Sequence, residues 1–456
     1  MRELLIHRPL VLLAAGLVLG VAAMTNVFAC VLLLVVLLIV RELRGSLACG
    51  AGFAFGALIA PLPIQPLLAR QWLDADARVT GVPRLFPTGM VAEIGIGHDR
   101  YLMSAPRDSG VVLGEVVHVR GLAKPLKEGA ERLATRGIKG RISPVSITEI
   151  QPAPINFSIG QAWRDSFVEF CDRWLPPQAA AATAAVCFNV DSALDPASRD
   201  ALSRSGTVHV VSASGLHVGL LAAALLAILG RLPIPRWSQL SVLAFVLVLF
   251  AVASGLNPPV IRTCVMALIL STAYLLKREP DMLSALGIAA VVQMLWDPRA
   301  IFDPGFQLSF TLIGAFALFA SRAGTVRESF RAQLVNKGRE GLRQGVVATA
   351  GAAPLVAYTF GLVSFTSVVS NLLLALALPV MVVGAMLAHL VSFVVPALGV
   401  GLMVGLVGPL AGWLYFVAEH MGGEWAALSV PAFSGYWVLL AYAVMIAAWR
   451  PRLRPA

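Results

Sequence analysis

Residues 209–219 read His209-Val-Val-Ser212-Ala-Ser214-Gly215-Leu-His217-Val-Gly219, so two imidazoles alternate with two hydroxyls in one short segment. On a helix His209 stacks over Ser212 and Ser214 over His217, each pair three residues apart. Ser214 and His217 in that register suit a nucleophile and its base, the pattern of an intramembrane hydrolase. No neighbouring carboxylate would orient the imidazole, however, and hydroxyl back-bonding is ordinary in apolar helices. A polar lining is therefore the stronger reading, and no catalytic residue is assigned. Gly215 and Gly219 form a G-x-x-x-G that admits the close approach of a neighbouring helix.

Two further polar clusters interrupt apolar runs: Ser254-Gly255-Leu-Asn257-Pro258-Pro259-Val-Ile-Arg262, and Asp303-Pro304-Gly305-Phe306-Gln307-Leu308-Ser309-Phe310. Asn371, following Ser370, is a weaker fourth site. An unpaired charge in an apolar medium is costly, which makes Arg262 and Asp303 natural partners. Other chemistries lack their signatures. No G-x-x-x-x-G-K-[ST] supplies a nucleotide motor. The seven histidines contain no closely spaced ligand set and the five cysteines no C-x-x-C, so neither a metal nor a cofactor is expected. Cys171 and Cys187 fall in the same segment and are a candidate disulfide in an oxidising compartment.

The elements that must carry these residues follow from composition. Of 456 residues, 58% are apolar and 13% charged, with a mean hydropathy of +0.80. A soluble domain is about 45–50% apolar and about 25% charged, so the solvent for most of this chain is lipid. Spans of roughly 20 apolar residues are expected near 9–24, 26–40, 45–60, 208–229, 238–254, 260–276, 281–296, 303–320, 345–361, 366–395, 397–418 and 433–449. The first resembles a signal-peptide core but lacks a clear cleavage site, and is read as retained. Seventeen of the 35 Lys and Arg residues fall in alternate short loops or at the ends, which the positive-inside rule makes cytoplasmic together with both termini. The spans beginning at 208, 260, 303 and 366 then run inward from the outer face. His209, Ser214, Arg262, Asp303, Gln307 and Asn371 come to a similar depth, where they would line a path open to the outside.

Residues 62–155 depart from this pattern. Alternating strands are predicted at 77–82, 90–96, 100–104, 115–119 and 140–147, a small outer β-barrel of OB type. Twelve basic residues outnumber nine acidic ones there, interleaved with aromatics, a composition suited to single-stranded nucleic acid. Arg84, Arg100 and Tyr101 are candidate contacts, as are Lys124, Lys127, Arg132, Arg136, Lys139 and Arg141 in the denser stretch that follows. A solvated basic surface is the equal alternative. In 161–175 the stripe Trp163, Phe167, Phe170, Trp174 predicts an amphipathic helix, lying on the outer leaflet or packed against the barrel or bundle. The organisation expected is 1–61 membrane spans, 62–155 outer domain, 156–205 interfacial helix and linker, and 206–456 membrane bundle.

At these residues the sequence resembles the ComEC family of bacterial competence proteins. The likeness runs through GTVHVVSASGLHVGLL (206–221), SGLNPPVIRTCVMAL (254–268), LWDPRAIFDPGFQLSFTLIG (295–314) and ATAGAAPLVAYTFGLVSFTSVVSNLLLALALP (348–379). Ser214, Gly215, His217, Arg262, Asp303, Gly305, Phe306, Gln307, Ser309 and Asn371 fall on motif positions. The resemblance implies a multi-pass channel in the bacterial inner membrane that passes one DNA strand inward, an OB-type domain receiving it. It further implies a separate DNA receptor, cytosolic ATPase and nuclease, the last because many relatives continue into a metallo-β-lactamase-like domain that this chain does not show. A carrier for another anionic solute remains the alternative, and the sequence leaves the oligomeric state open.

Overall fold

The structure, a computed structural model, describes residues 9–23, 43–60, 67–86, 89–106, 109–126, 133–134, 137–190, 194–211, 215–319 and 330–448. The expected span 26–40 lies outside the described residues.

Two apolar helices, α1 (Pro9–Ala23) and α2 (Leu43–Ile59), open the chain. Their contacts advance together along both helices, so they run parallel, and four glycines set the separation. A Cβ at Gly16 would collide with the Cys49 carbonyl, one at Gly20 with that of Phe53, one at Gly52 with that of Leu13 and one at Gly56 with that of Leu17. This is a reciprocal G-x-x-x-G contact, the small-residue packing that replaces hydrophobic attraction between helices in lipid.

Within residues 71–151 the chain folds as β1 (Gln71–Val79), β2 (Arg84–Phe86), β3 (Gly89–Ile96), β4 (Asp99–Ala105), β5 (Val116–Lys124) and β6 (Ile138–Gln151). The sheet order is β1-β5-β6-β4-β3-β2, and β1 also pairs with β3 (Arg78↔Gly95, Val79↔Ile94). Five strands thereby close into a barrel, with β2 a short extension. All the pairings are antiparallel except β4 with β6, which is parallel. Alternate residues point inward, and the core holds Val79, Ile94, Met103, Val119 and Ile142, each no more than 1% exposed.

Helix α3 (Ile155–Trp174) leads from the barrel to the bundle, and α4 (Pro177–Phe188) follows at once. The aromatic stripe of α3 packs against the bundle: Trp163 and Phe167 meet the Phe188 ring edge-on at centroid distances of 5.1 and 5.0 Å, and Trp163 also meets Phe250. Only Trp174 of the four is exposed. Helix α4, in the segment read from sequence as linker, is buried from Ala179 to Phe188 in the main core. Cys171 and Cys187 are both buried free thiols. The expected disulfide is therefore not formed; burial pushes the Cys171 thiol upward, with the nearby Cys187 adding to it.

The remaining elements are α5 (Pro196–Arg204), α6 (Gly215–Leu229), α7 (Arg236–Ala253), α8 (Pro258–Leu275), α9 (Met282–Trp296), α10 (Pro304–Phe319), α11 (Phe330–Phe360), α12 (Ser367–Leu374), α13 (Ala377–Ser392), α14 (Pro396–Met421) and α15 (Gly435–Ala448). Strands β7 (Leu362–Ser364) and β8 (Ala427–Ser429) pair between the ends of α11 and α14. Among the described residues α7, α8 and α14 are long and apolar enough to cross a membrane, and α12 with α13 forms a fourth candidate bent by 42°. Six shorter apolar helices accompany them. Helix α11 continues the basic stretch Arg339–Arg343 into the apolar segment without a break. Gly219 faces open space, so no helix approaches closely at that position; among the described residues, α1 and α2 make such a glycine contact.

Candidate functional site

The barrel docks on the end of the bundle where α7 passes into α8 and α9 into α10. Val82 lies over Gly255, whose φ of +88° is a turn conformation that favours glycine. Phe157 of α3 packs on Gly114. The side chain of Arg299, in the 3-10 turn Pro298–Phe302, lies against Gly137, which also has positive φ. Arg100 of β4 donates to Asp297 at 2.9 Å, an ion pair between residues 197 apart in sequence.

These contacts surround a cavity of about 1620 Å³. One wall is barrel: β3, β4 and the β1–β3 connection, with Arg78 of β1, Glu93 of β3, Arg100 of β4 and Arg141 of β6. The other is α3 and the bundle ends, with Arg164 and Arg299 against Asp165, Glu169, Asp172, Asp297 and Asp303. The lining thus carries five arginines and six carboxylates, segregated: cations dominate the barrel wall and anions the bundle wall. Burial raises the Asp172 carboxyl above its ordinary range and lowers Arg299, whose charge Asp297 helps to retain. Trp296, 77% exposed, and Phe157 add aromatic surface.

Beneath this floor the residues predicted to line a path take separate roles. Asp303 caps α10: its Oδ1 accepts from the Gly305 and Phe306 amides at 2.8 and 3.2 Å, with Pro304 at the first helical position. It also borders the cavity. Arg262, 2% exposed, donates from Nη2 to the Gly305 carbonyl at 3.3 Å and to the Ser309 hydroxyl. Its guanidinium lies over Phe306 and Phe310, 5.9 and 5.6 Å from their centroids, while Nη1 has no hydrogen-bond partner among the described residues. Asp303 acts on it electrostatically. Arg262 is thus enclosed where α8 meets α10, one position past Ile261, which does reach the cavity.

Gln307 donates to the Ile301 carbonyl at 2.9 Å, and Asn371 to the Ser367 carbonyl and hydroxyl at 2.8 and 3.2 Å. These bonds close within their own segments. His209 lies in the 3-10 turn Val208–Val210. Ser212 and Ser214 lie outside the described residues, and Gly215 and His217 stand in the first turn of α6. Of the sequence-derived set, Gly255 and Asp303 border the cavity; Arg262, Phe306 and Ser309 form a cluster just beneath.

In the barrel, Arg100 and Arg141 face the cavity, Lys139 is tied to Asp99 at 2.6 Å, and Lys124 is exposed at the end of β5. Arg84 stands in β2. Lys127, Arg132 and Arg136 lie outside the described residues. Tyr101, proposed to meet a strand, is 5% exposed and belongs to the barrel core, because Arg100 takes the outward position and Tyr101 the inward one. Asp297 and Gln293 are site residues that the sequence reading passed over. Gln293 is 3% exposed in the cavity wall, and both its amide atoms lack hydrogen-bond partners among the described residues.

The molecule is a helical membrane protein with a closed β-barrel docked over a charged cavity at one end of the helices. The sequence profile of the family described as "Competence protein" matches residues 186–455, more than half of the chain. The chain is also similar to ComE operon protein 3 of Bacillus subtilis (strain 168), 28% identical over 232 residues. That match covers 50% of this chain and 29% of the relative's length. No solved structure matches it. The chain belongs to the competence protein family, of the ComEC kind.

Proposed function

We propose that this chain is an inner-membrane channel that passes single-stranded DNA into the cytoplasm during natural transformation. The observation that carries the reading is the orientation of the barrel. With β2 set aside, the strands close in the order first, second, third, fifth, fourth, with the third and fifth parallel. That order suits an OB-type barrel, which binds oligonucleotides on its second and third strands and adjoining loops. Here the second and third strands, β3 and β4, and the β1–β3 connection face the cavity as its barrel wall, with Arg100 on β4 and Arg78 and Arg141 alongside on β1 and β6. A strand held on that wall would lie directly over the ends of α8, α9 and α10.

The mixed charge of the cavity fits a conduit better than a high-affinity receptor. Phosphates would rest against Arg78, Arg100 and Arg141, and the carboxylates opposite would keep the strand from binding too tightly to leave. The membrane arrangement proposed with it has about twelve spans and both ends cytoplasmic. Surface capture, pulling and degradation of the second strand fall to a separate receptor, a cytosolic ATPase and a nuclease. The competing reading is a carrier for a smaller anion, for which the cavity would also serve.

Deleting the gene in a competent host tests the proposal. Labelled DNA should still collect at the cell surface while internalisation and transformation are lost. Unchanged transformation would remove the channel reading. Binding of oligothymidine to the whole protein in nanodiscs should weaken steeply with salt, as phosphate contacts require.

A further inference from the structure

The junction between barrel and bundle is built from opposite charges at the cavity edge. Arg100 donates to Asp297 at 2.9 Å, and Lys139 to Asp99 at 2.6 Å. Arg299 lies in the field of Asp297, Asp99 and Arg100, and its Cδ and guanidinium lie against Gly137. Two arginines, one from the barrel and one from the bundle, therefore meet at Asp297 on the cavity edge, with Asp99, held by Lys139, acting on Arg299 from the barrel side. Neither side of the Arg100–Asp297 pair is sealed off, since the side chains are 33% and 24% exposed and both border the cavity. Arg100 stands on β4, within the wall assigned above to the strand.

We propose that Arg100 and Arg299 form a phosphodiester subsite in which Asp297 takes the place of a phosphate until a strand arrives. This rests on the DNA reading of the cavity and adds a device to it. A carboxylate and a phosphate offer an arginine the same bidentate oxygen pattern, so an incoming phosphodiester competes with Asp297 for the Arg100 fork. Exchange of one for the other removes the Arg100–Asp297 ion pair between β4 and the 297–302 turn. Capture of the strand and loosening of the barrel from the bundle are then a single event. Asp297 also accepts from the Arg299 amide at 3.0 Å, which holds its carboxylate in position on the turn.

The test uses the whole protein in nanodiscs of zwitterionic lipid, with fluorescently labelled oligothymidine as the probe. Asp297→Asn keeps the acceptor that caps the turn but withdraws the competing charge. Such a partly exposed ion pair is worth about 0.2–1 kcal/mol, so the variant should bind oligothymidine up to about fivefold more tightly. Asp297→Ser, which also caps, should do the same and guards against a local folding defect in either variant. In the double variant with Arg100→Gln the gain should vanish, because the freed cation is no longer there. Wild-type-like or weaker binding by both Asp297 variants overturns the subsite while leaving the DNA reading intact. No oligothymidine binding by the wild type overturns both. A second arm adds anionic lipid and no DNA: if lipid alone separates spin labels placed on barrel and bundle as much as oligothymidine does, the phosphodiester is a headgroup and the strand assignment fails.

Discussion

The guanidinium of Arg262 stands 5.6 Å from the centroid of the Phe310 ring, with Phe306 at 5.9 Å, and donates to Gly305 and Ser309 on the same helix. One buried cation thus meets carbonyl, hydroxyl and two aromatic faces of α10, and its role in this structure is to join α8 to α10. A cation–aromatic contact out of water is worth about 2 kcal/mol and each charged hydrogen bond about 1.5–3 kcal/mol. Arg262→Ala should therefore destabilise the bundle by about 3–5 kcal/mol. Arg262→Lys, which retains the charge but not the fork, should cost less. Thermal unfolding in detergent checks the order; equal stability of the wild type and the alanine variant would mean that the contact does not hold the helices.

Asp303 allows a sharper separation of structure from transport. Its capping bonds to Gly305 and Phe306 are what an N-cap side chain provides, worth about 1 kcal/mol. Asp303→Asn keeps the cap and should leave stability nearly unchanged, whereas Asp303→Ala should lower it by about 0.5–2 kcal/mol. If transformation falls equally in both variants, the carboxylate charge at the cavity edge matters in addition to the cap. If only the alanine variant is impaired, capping accounts for the residue.

How much of this was legible in sequence differs by element. Hydropathy located the apolar helices well, because burial in lipid imposes one strong constraint on composition. The Asp303-Pro304-Gly305 start of α10 carries a helix-capping signature as well as a membrane charge, and only the second was used to place it on a path. Tyr101 was misassigned although strand alternation gives its direction: Met103 lies two residues on, on the same inward face. Helix α4 was hidden by its own alanines, since PQAAAATAAVCF is short and small enough to read as linker. The Arg100–Asp297 pair had no local signal at all, as its partners come together only when barrel and bundle dock.

His118 gives the barrel a pH dependence with a definite sign. On the β1–β5 face its Nδ1 meets Asp76 at 2.7 Å and its Nε2 meets Asp74 at 2.8 Å. The hydrogen bond to Asp76, reinforced by Asp74, raises the imidazole pKa above its ordinary 6.5. A raised folded-state pKa means that the stabilisation is complete below the unfolded value and is lost as pH climbs through the folded one. Amide protection in β1 and β5, corrected for intrinsic exchange, should therefore fall across that rise in the wild type and stay flat in His118→Gln. The same profile in both proteins would show that the two aspartates do not depend on the imidazole charge.

The paired glycines of α1 and α2 give a prediction in which a single methyl group decides the outcome. At Gly20 an added Cβ would strike the Phe53 carbonyl, with the Gly56 backbone beside it, and no rotamer relieves a clash of Cβ with backbone. Gly219, also a helical glycine, has nothing within 4 Å of the same construction. Gly20→Ala should force α1 and α2 apart and lower stability by about 1–3 kcal/mol, the usual cost of overpacking. Gly219→Ala should be neutral or slightly stabilising, because alanine is the better helix former by about 1 kcal/mol. Both variants remove the same conformational freedom from the unfolded chain, so their difference isolates the interhelical contact. Cysteine crosslinking between α1 and α2 in native membranes, compared across the two variants, reads the separation directly. Equal crosslinking and equal unfolding temperature would mean that α1 and α2 do not pack through these glycines.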